Sequence, residues 1–528
     1  MTHAARVAAV CLLATVCLLA TVCLLAPQAF AGGSITAKRA ALTTAHPLAT
    51  KAGLGTIQRD GNAADAAVTV ALALAVVRPQ SGSLGGGGFL LYFDAETRGI
   101  WVLDFRETAP RGATIDTRNG AAAAGVPGTL AGLHALHERF GSRPWKELVT
   151  PALLLARDGP REDAELEADI ALAKKNRNLE FPKVLPPPEL ATTLQRIAEQ
   201  GARDLYDGDL AKKLVEETRA AGGVIGFRDL RDYQPIWRAP LKLLYGAYEI
   251  YSVPPPSGGG LVIGETLNIL ADDDLAAKGF QTPASLYLLI EAQRRAFIDR
   301  YRYVGDPANT RIPYRDLLSR KRAELWRKTI GDRVAGTASL GEPSDLNVEG
   351  GHTTHFTIAD KLGNVIAFTT SLGEDFGSGF LVPSLGFFLN DANAAFTVRP
   401  NHVEPGKRAA SSLAPTIVLR DRKPFLALGT SGGSAIPTTI LQVFLNVVVY
   451  RKSLPEAVAA ARYHHSAIPD ELVVERDRAP QATIDALNEK GHGVAMRVAI
   501  GEVHAILFEN GRMIAVADPR RGGAAGGL

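Results

Sequence analysis

The stretch TTHFTIADKLGNVIAFTTS, Thr353 to Ser371, constrains the fold more than any other. TTHFTIAD and NVIAFTTS alternate apolar and polar residues around the turn KLGN, the signature of an antiparallel hairpin. GFFLND, APTIVLRD and PFLALGT continue in the same manner. A long apolar helix, AIPTTILQVFLNVVVY, and two closing strands in HAILFENGRMIAVAD follow. The tail PRRGGAAGGL is expected to be disordered. Upstream, Lys38 to Val77 reads as helix, with Asn62 placed to cap its second half. SGSLGGGGFLLYFD and GIWVLDFRETAP read as a glycine loop and a strand pair, Gly128 to Arg238 as helix-rich, and Ala323 to Gly351 as loop. Helices first and antiparallel hairpins later imply layered α+β architecture, not a βαβ repeat.

The N-terminus sets the compartment. Arg6 precedes an apolar run from Ala8 to Ala26, followed by Pro27 and the small-residue site Ala29-Phe30-Ala31. This is the layout of a secretory signal peptide, residues 1–31, and implies a periplasmic or secreted protein, with an uncleaved membrane anchor as the alternative reading. All three cysteines, Cys11, Cys17 and Cys23, lie inside that run. The mature chain then holds no disulfide, no cysteine nucleophile and no thiolate metal site. No stable membrane span remains after signal cleavage. A net charge of +3 over 528 residues gives no field for nucleic acid. Arg294, Arg295, Arg300 and Arg302 are expected on a solvated helix face or in ion pairs.

Four chemistries can be read from the residues. SLGGGG lacks the Lys-Ser/Thr of a phosphate loop and precedes a strand, so its glycines serve close backbone packing. His464 and His465 are adjacent and have no helix-spaced partner, so they read as structural, not as metal ligands. GTSGG, Gly429 to Gly433, matches G-x-S-x-G; Ser431 with Asp470 and His492 or His504 would form a serine-hydrolase set. The fourth is Thr353 itself. Were the bond after His352 broken, the α-amino group of Thr353, with a pKa of roughly 7.7–8.0, could act as base for its own hydroxyl. Thr353 could make that cut by attacking the His352 carbonyl, helped by the conformational freedom of Gly350 and Gly351. Plain β-branched strand residues beside a glycine turn are the alternative reading.

Taken together, HPLATKAGLGTIQRDGNAADAAV, SGSLGGGGFLLY, LDFRETAP, GVPGT, VPPPSGGG, TTHFTIADKLGNVIAFT, SSLAPTIV and GTSGGS resemble the γ-glutamyltranspeptidase (glutathione hydrolase) family. The resemblance covers nearly the whole mature chain. It implies a four-layer αββα N-terminal-nucleophile hydrolase, made as a zymogen that cuts itself. The large subunit would be residues 32–352 and the small, catalytic subunit 353–528, held together as a heterodimer. It further implies Thr353 as nucleophile, Ser371 as the hydroxyl touching it, and Gly432 and Gly433 as oxyanion donors. Arg106, Ser411 and Ser412 would hold a substrate α-carboxylate. The substrate would be a γ-glutamyl or related acyl-amide, and the acceptor water or an amine. No cofactor and no metal is expected. Three positions depart from the family: Gly373, Ala392 and Ala395 stand where groups that hold the substrate ammonium are expected. The segment from Phe396 to Ser411 is also short, implying a missing lid. An acylase for a glutaryl- or cephalosporin-like amide, a serine esterase using Ser431 and a catalytically silent binding protein are the alternatives.

Overall fold

The computed structural model describes residues 30–31, 33–114, 119–159, 163–341 and 352–528, with backbone alone at 30, 31 and 352. The apolar run 8–26 and the Gly350-Gly351 joint lie outside the described residues.

Two antiparallel sheets are stacked face to face. The first runs in the order Phe30–Ala31, Ala524–Gly527, Ala41–Thr44, His352–Ala359, Val365–Gly373, Gly87–Phe93, Ile100–Asp104 and Ile236–Arg238. The second runs Ser34–Ala37, Arg512–Ala517, Val503–Glu509, Lys423–Thr430, Thr416–Arg420, Tyr248–Ser252 and Leu241–Tyr245. Successive strand residues point to opposite faces, and here both faces are covered. Phe89, Leu91 and Phe93 join a core with Ala427 and Ile506 of the second sheet, whereas Leu90 and Tyr92 pack with Phe356, Phe368 and the helix Ala63–Val77. That helix is apolar all round and every residue of it is buried, as a core helix requires. Helices Gly259–Ile269, Pro283–Tyr303 and Ala435–Val448 cover the second sheet's outer face. The result is four layers, αββα.

The expected hairpin at Thr353 forms, with Thr353 opposite Ser371, and Asn62 caps its helix in a capping box with Asp65. Three expectations need correction. The stretch from Lys38 contains the strand Ala41–Thr44, paired on both sides, before the helix begins at Pro47. Part of the stretch from Ala323 to Gly351 is helical, since Arg320–Lys328 runs into it. The tail is ordered: Ala524–Gly527 is a sheet strand between Phe30–Ala31 and Ala41–Thr44. Its residues carry no strand signal, but their small size lets neighbouring backbone approach; a β-carbon on Gly526 would lie 2.6 Å from Leu54 Cδ1. Arg294 and Arg295 are buried and paired with Glu291, so the ion-pair half of that expectation holds and the solvated face does not. No helix of the described residues is long and apolar enough to cross a membrane.

Candidate active site

Thr353 stands at the head of a central strand, directly opposite Ser371 on the next. Its Oγ1 donates to Ser371 Oγ at 3.2 Å, and Ser371 Oγ also accepts from the Gly373 N–H at 2.9 Å. The pairing slips between Ser371 and Gly373, and Gly373 has φ +98°. Such a bulge turns the side chains beyond it away from the ladder. The SLGGGG loop closes the other side. β-Carbons on Gly86 and Gly88 would lie 2.4 Å from Ser371 O and 2.1 Å from Thr369 O. Its glycines therefore permit close backbone packing, as expected, and press the loop against the Ser371 strand.

Thr353 is buried and lines two cavities, of about 350 and 500 Å³. The smaller one gathers Arg106, Ser411 and Ser412. Arg106 Nη1 donates to Glu107 Oε2 at 2.8 Å, while its Nε is buried without a partner. The Ser412 hydroxyl is buried and unpartnered too. The VPPPSGGG turn holds this serine pair in place: Gly258 N donates to Ser411 O at 2.7 Å, and a β-carbon on Gly259 would lie 2.5 Å from Ser412 O. An unfilled guanidinium nitrogen and hydroxyl in one wall suit a carboxylate.

Gly432 and Gly433 line the cavities that Thr353 lines, Gly433 the smaller and Gly432 the larger. Both have positive φ, +125° and +56°, which glycine tolerates at little cost. Among the described residues neither N–H donates a hydrogen bond. Both precede the helix Ala435–Val448, whose N-terminal dipole favours negative charge. They are therefore suited to an oxyanion formed at Thr353.

No histidine or lysine among the described residues hydrogen-bonds Thr353. The nearest along the strand, His355, is tied to Thr369 and Thr357, and burial holds its pKa well below normal. The serine-hydrolase set is not assembled either. Asp470 pairs with Arg294 and His465, His504 bonds Thr43, and His492 packs near Glu291. Of the adjacent histidines, His464 is fixed by Ser434 and Thr438. Among the described residues no group of three or more His, Cys, Asp or Glu side chains could hold a metal.

Sequence reasoning missed the acidic part of the smaller cavity. Glu107, Glu374 and Asp391 all line it, beside Ala392 and Ala395. Arg177 also lines it, and donates to Asn119 Oδ1 and to the carbonyls of Asp375 and Gly377. Among the described residues, none from 397 to 410 lines either cavity.

Two stacked antiparallel sheets between helical layers, with a hydroxyl residue heading a central strand, define the N-terminal-nucleophile hydrolase fold. Within that class, the chain belongs to the gamma-glutamyltranspeptidase family, whose profile matches residues 49–528. It is 34% identical over 530 residues to the glutathione hydrolase proenzyme of Escherichia coli K12, covering 92% of this chain and 91% of that protein. It is 33% identical to the acylase ACY 1 proenzyme of Pseudomonas sp. V22, covering 90% of each. The crystal structure of cephalosporin acylase from Bacillus halodurans superimposes with a TM-score of 0.84 at 26% identity, over 94% of this chain and 97% of that one.

Proposed function

We propose that this protein is an exported, self-processing γ-glutamyltransferase or glutathione hydrolase-type enzyme that moves a γ-glutamyl-like acyl group through an ester on Thr353. The observation that carries the reading is the position of the Thr353 hydroxyl: beside Ser371 and on two cavities whose walls also hold Gly433 and Gly432, with their N–H groups uncommitted among the described residues.

In maturation, Thr353 Oγ attacks the His352 carbonyl carbon, the C–N bond breaks, and water hydrolyses the resulting ester. The products are chain 32–352, counted from signal cleavage after Ala31, and chain 353–528, which remain together as a heterodimer. The freed α-amine then supplies the base that no side chain among the described residues provides. In turnover it takes the hydroxyl proton as Oγ bonds to the donor's acyl carbon. Gly432 and Gly433 stabilise the oxyanion, and the proton passes to the leaving amine as the C–N bond breaks. Water or an acceptor amine then takes the acyl group. Arg106, Ser411 and Ser412 hold the donor's carboxylate. The alternative donor is a glutaryl- or cephalosporin-like amide, favoured by Ala392 and Ala395 in the cavity wall and by the relatives that are acylases.

Thr353→Ala is expected to leave the precursor as one band on a denaturing gel and without amidase activity, while Thr353→Ser, which keeps a hydroxyl, cuts slowly. Mass analysis of the smaller wild-type band is expected to begin Thr-Thr-His-Phe. A wild-type chain that stays intact and fully active would overturn the mechanism.

A further inference from the structure

The donor cavity carries a carboxyl group that none of these steps employs. Asp391 is buried in the cavity wall. Its Oδ2 accepts from the Glu374 N–H at 3.1 Å, and its own N–H donates to Leu372 O at 3.0 Å. Oδ1 accepts no hydrogen bond among the described residues. A β-carbon built on Gly373 would stand 1.7 Å from that oxygen. The carboxyl group thus fills the volume that any side chain at 373 would need. Gly373 and Asp391 form one arrangement: the bare backbone at the bulge admits the acid next to Ser371.

The remaining charges of the wall decide what this acid can meet. Arg106 is paired with Glu107, and Arg177 is engaged by Asn119 and two carbonyls. Glu374 and Asp391 form no ion pair among the described residues, and Arg177, whose partners are neutral groups, sets one cation against their two carboxyl groups, so the wall keeps an excess of acid. A donor whose carboxylate lies on Arg106, Ser411 and Ser412 and whose carbonyl lies at Thr353 has its remaining substituents in the same cavity as that wall.

Resting on the acyl-transfer reading, we infer that Asp391 sets the charge of the accepted donor. Ionised, it selects acyl groups that carry an ammonium as well as a carboxylate; protonated, it admits acyl groups that lack the ammonium. Burial pushes the Asp391 carboxyl up to about 7, the charges of Glu374 and Glu107 push the same way, and the Glu374 N–H and the Arg177 guanidinium oppose them. Donor choice therefore changes with pH near neutrality.

The test compares kcat/KM for γ-glutamyl-p-nitroanilide and glutaryl-p-nitroanilide, which differ by the ammonium, between about pH 5.5 and 8.5; this parameter reports groups on the free enzyme. The Thr353 amine and the carboxylate clamp act on both compounds and cancel in the ratio. In the wild type the γ-glutamyl to glutaryl ratio is expected to climb about tenfold or more with pH, the weight of one charge-assisted contact. In Asp391→Asn the ratio is expected to be flat and lower at high pH. A flat wild-type ratio, or a variant that retains the climb, overturns the inference. Calorimetric Kd values for L-glutamate and glutarate on the wild type give a second reading, with the preference for glutamate rising over the same range. That measurement decides the role of Asp391 even if neither anilide is cleaved, an outcome that would overturn the acyl-transfer reading instead.

Discussion

At Gly433 the proposed oxyanion site and the backbone conformation make the same demand. With φ +56° and its N–H uncommitted, any side chain there strains the turn and crowds the anion. Gly433→Val is expected to lower kcat by two orders of magnitude or more, since one oxyanion donor is worth on the order of 3 kcal/mol. Ser431→Ala should mature normally and lose little, because no histidine among the described residues bonds Ser431. A fluorophosphonate probe that labelled Ser431 and spared Thr353 would reverse that assignment. Asp391 makes a separate thermodynamic prediction. Its carboxyl is raised from 3.8 to about 7 in the folded chain, so the unfolded chain ionises first and stability falls as pH rises from about 4 to about 7. Asp391→Asn can still accept from the Glu374 N–H. It should therefore be more stable than wild type at pH 8, by at most roughly 4 kcal/mol in chemical denaturation, with the difference gone near pH 4. Thr353 was legible as a hydroxyl residue at the head of a hairpin and Ser371 through the family resemblance; that one register sets them opposite each other is what the structure adds. Asp391 was not legible, because its place in the cavity follows from the bulge at Gly373, which has no local signature.

Among the elements, the Thr353 hairpin, the Gly87–Phe93 and Ile100–Asp104 pair and the helix Ala435–Val448 were legible from alternation, turn residues and apolar length. The strand Ala41–Thr44 and the tail strand were not. Four residues of ALTT are too few to outweigh the helical pattern that follows, and AAGG has no β-branched residue at all; in both cases the pairing partners impose the strand. The tail supplies a direct test. Gly526→Val would drive a side chain into Leu54 and Thr50. Overpacking of that kind costs typically 1–3 kcal/mol, so a fall of several degrees in Tm is expected. A variant that melts with wild type would mean that the tail strand contributes little to the folded state.

For the whole molecule, the layered α+β class followed from the order of elements, but the interleaving of the two proposed chains did not. In the first sheet Ala41–Thr44 of the large chain lies between Ala524–Gly527 of the small one and the strand His352–Ala359, which belongs to the small one from Thr353 on, and Gly87–Phe93 pairs with Val365–Gly373. In the second sheet, strands of the large chain flank four strands of the small one. Separating the products of the cut therefore means dismantling both sheets, and they should co-elute in native chromatography and part only in denaturant.

That interleaving also gives the protein a history. Before the cut, one covalent chain brings all the strands together, and the ends to be paired never leave each other's vicinity. After it, two unfolded chains would have to find each other from bulk solution, each exposing apolar strands that pair with the wrong partner as readily as the right one. The mature enzyme then endures through the slowness of its unfolding, not through its capacity to form again. After dilution from urea, the uncut Thr353→Ala precursor should regain its native fold independently of concentration, whereas the mature pair should regain activity poorly and with a yield that depends on concentration.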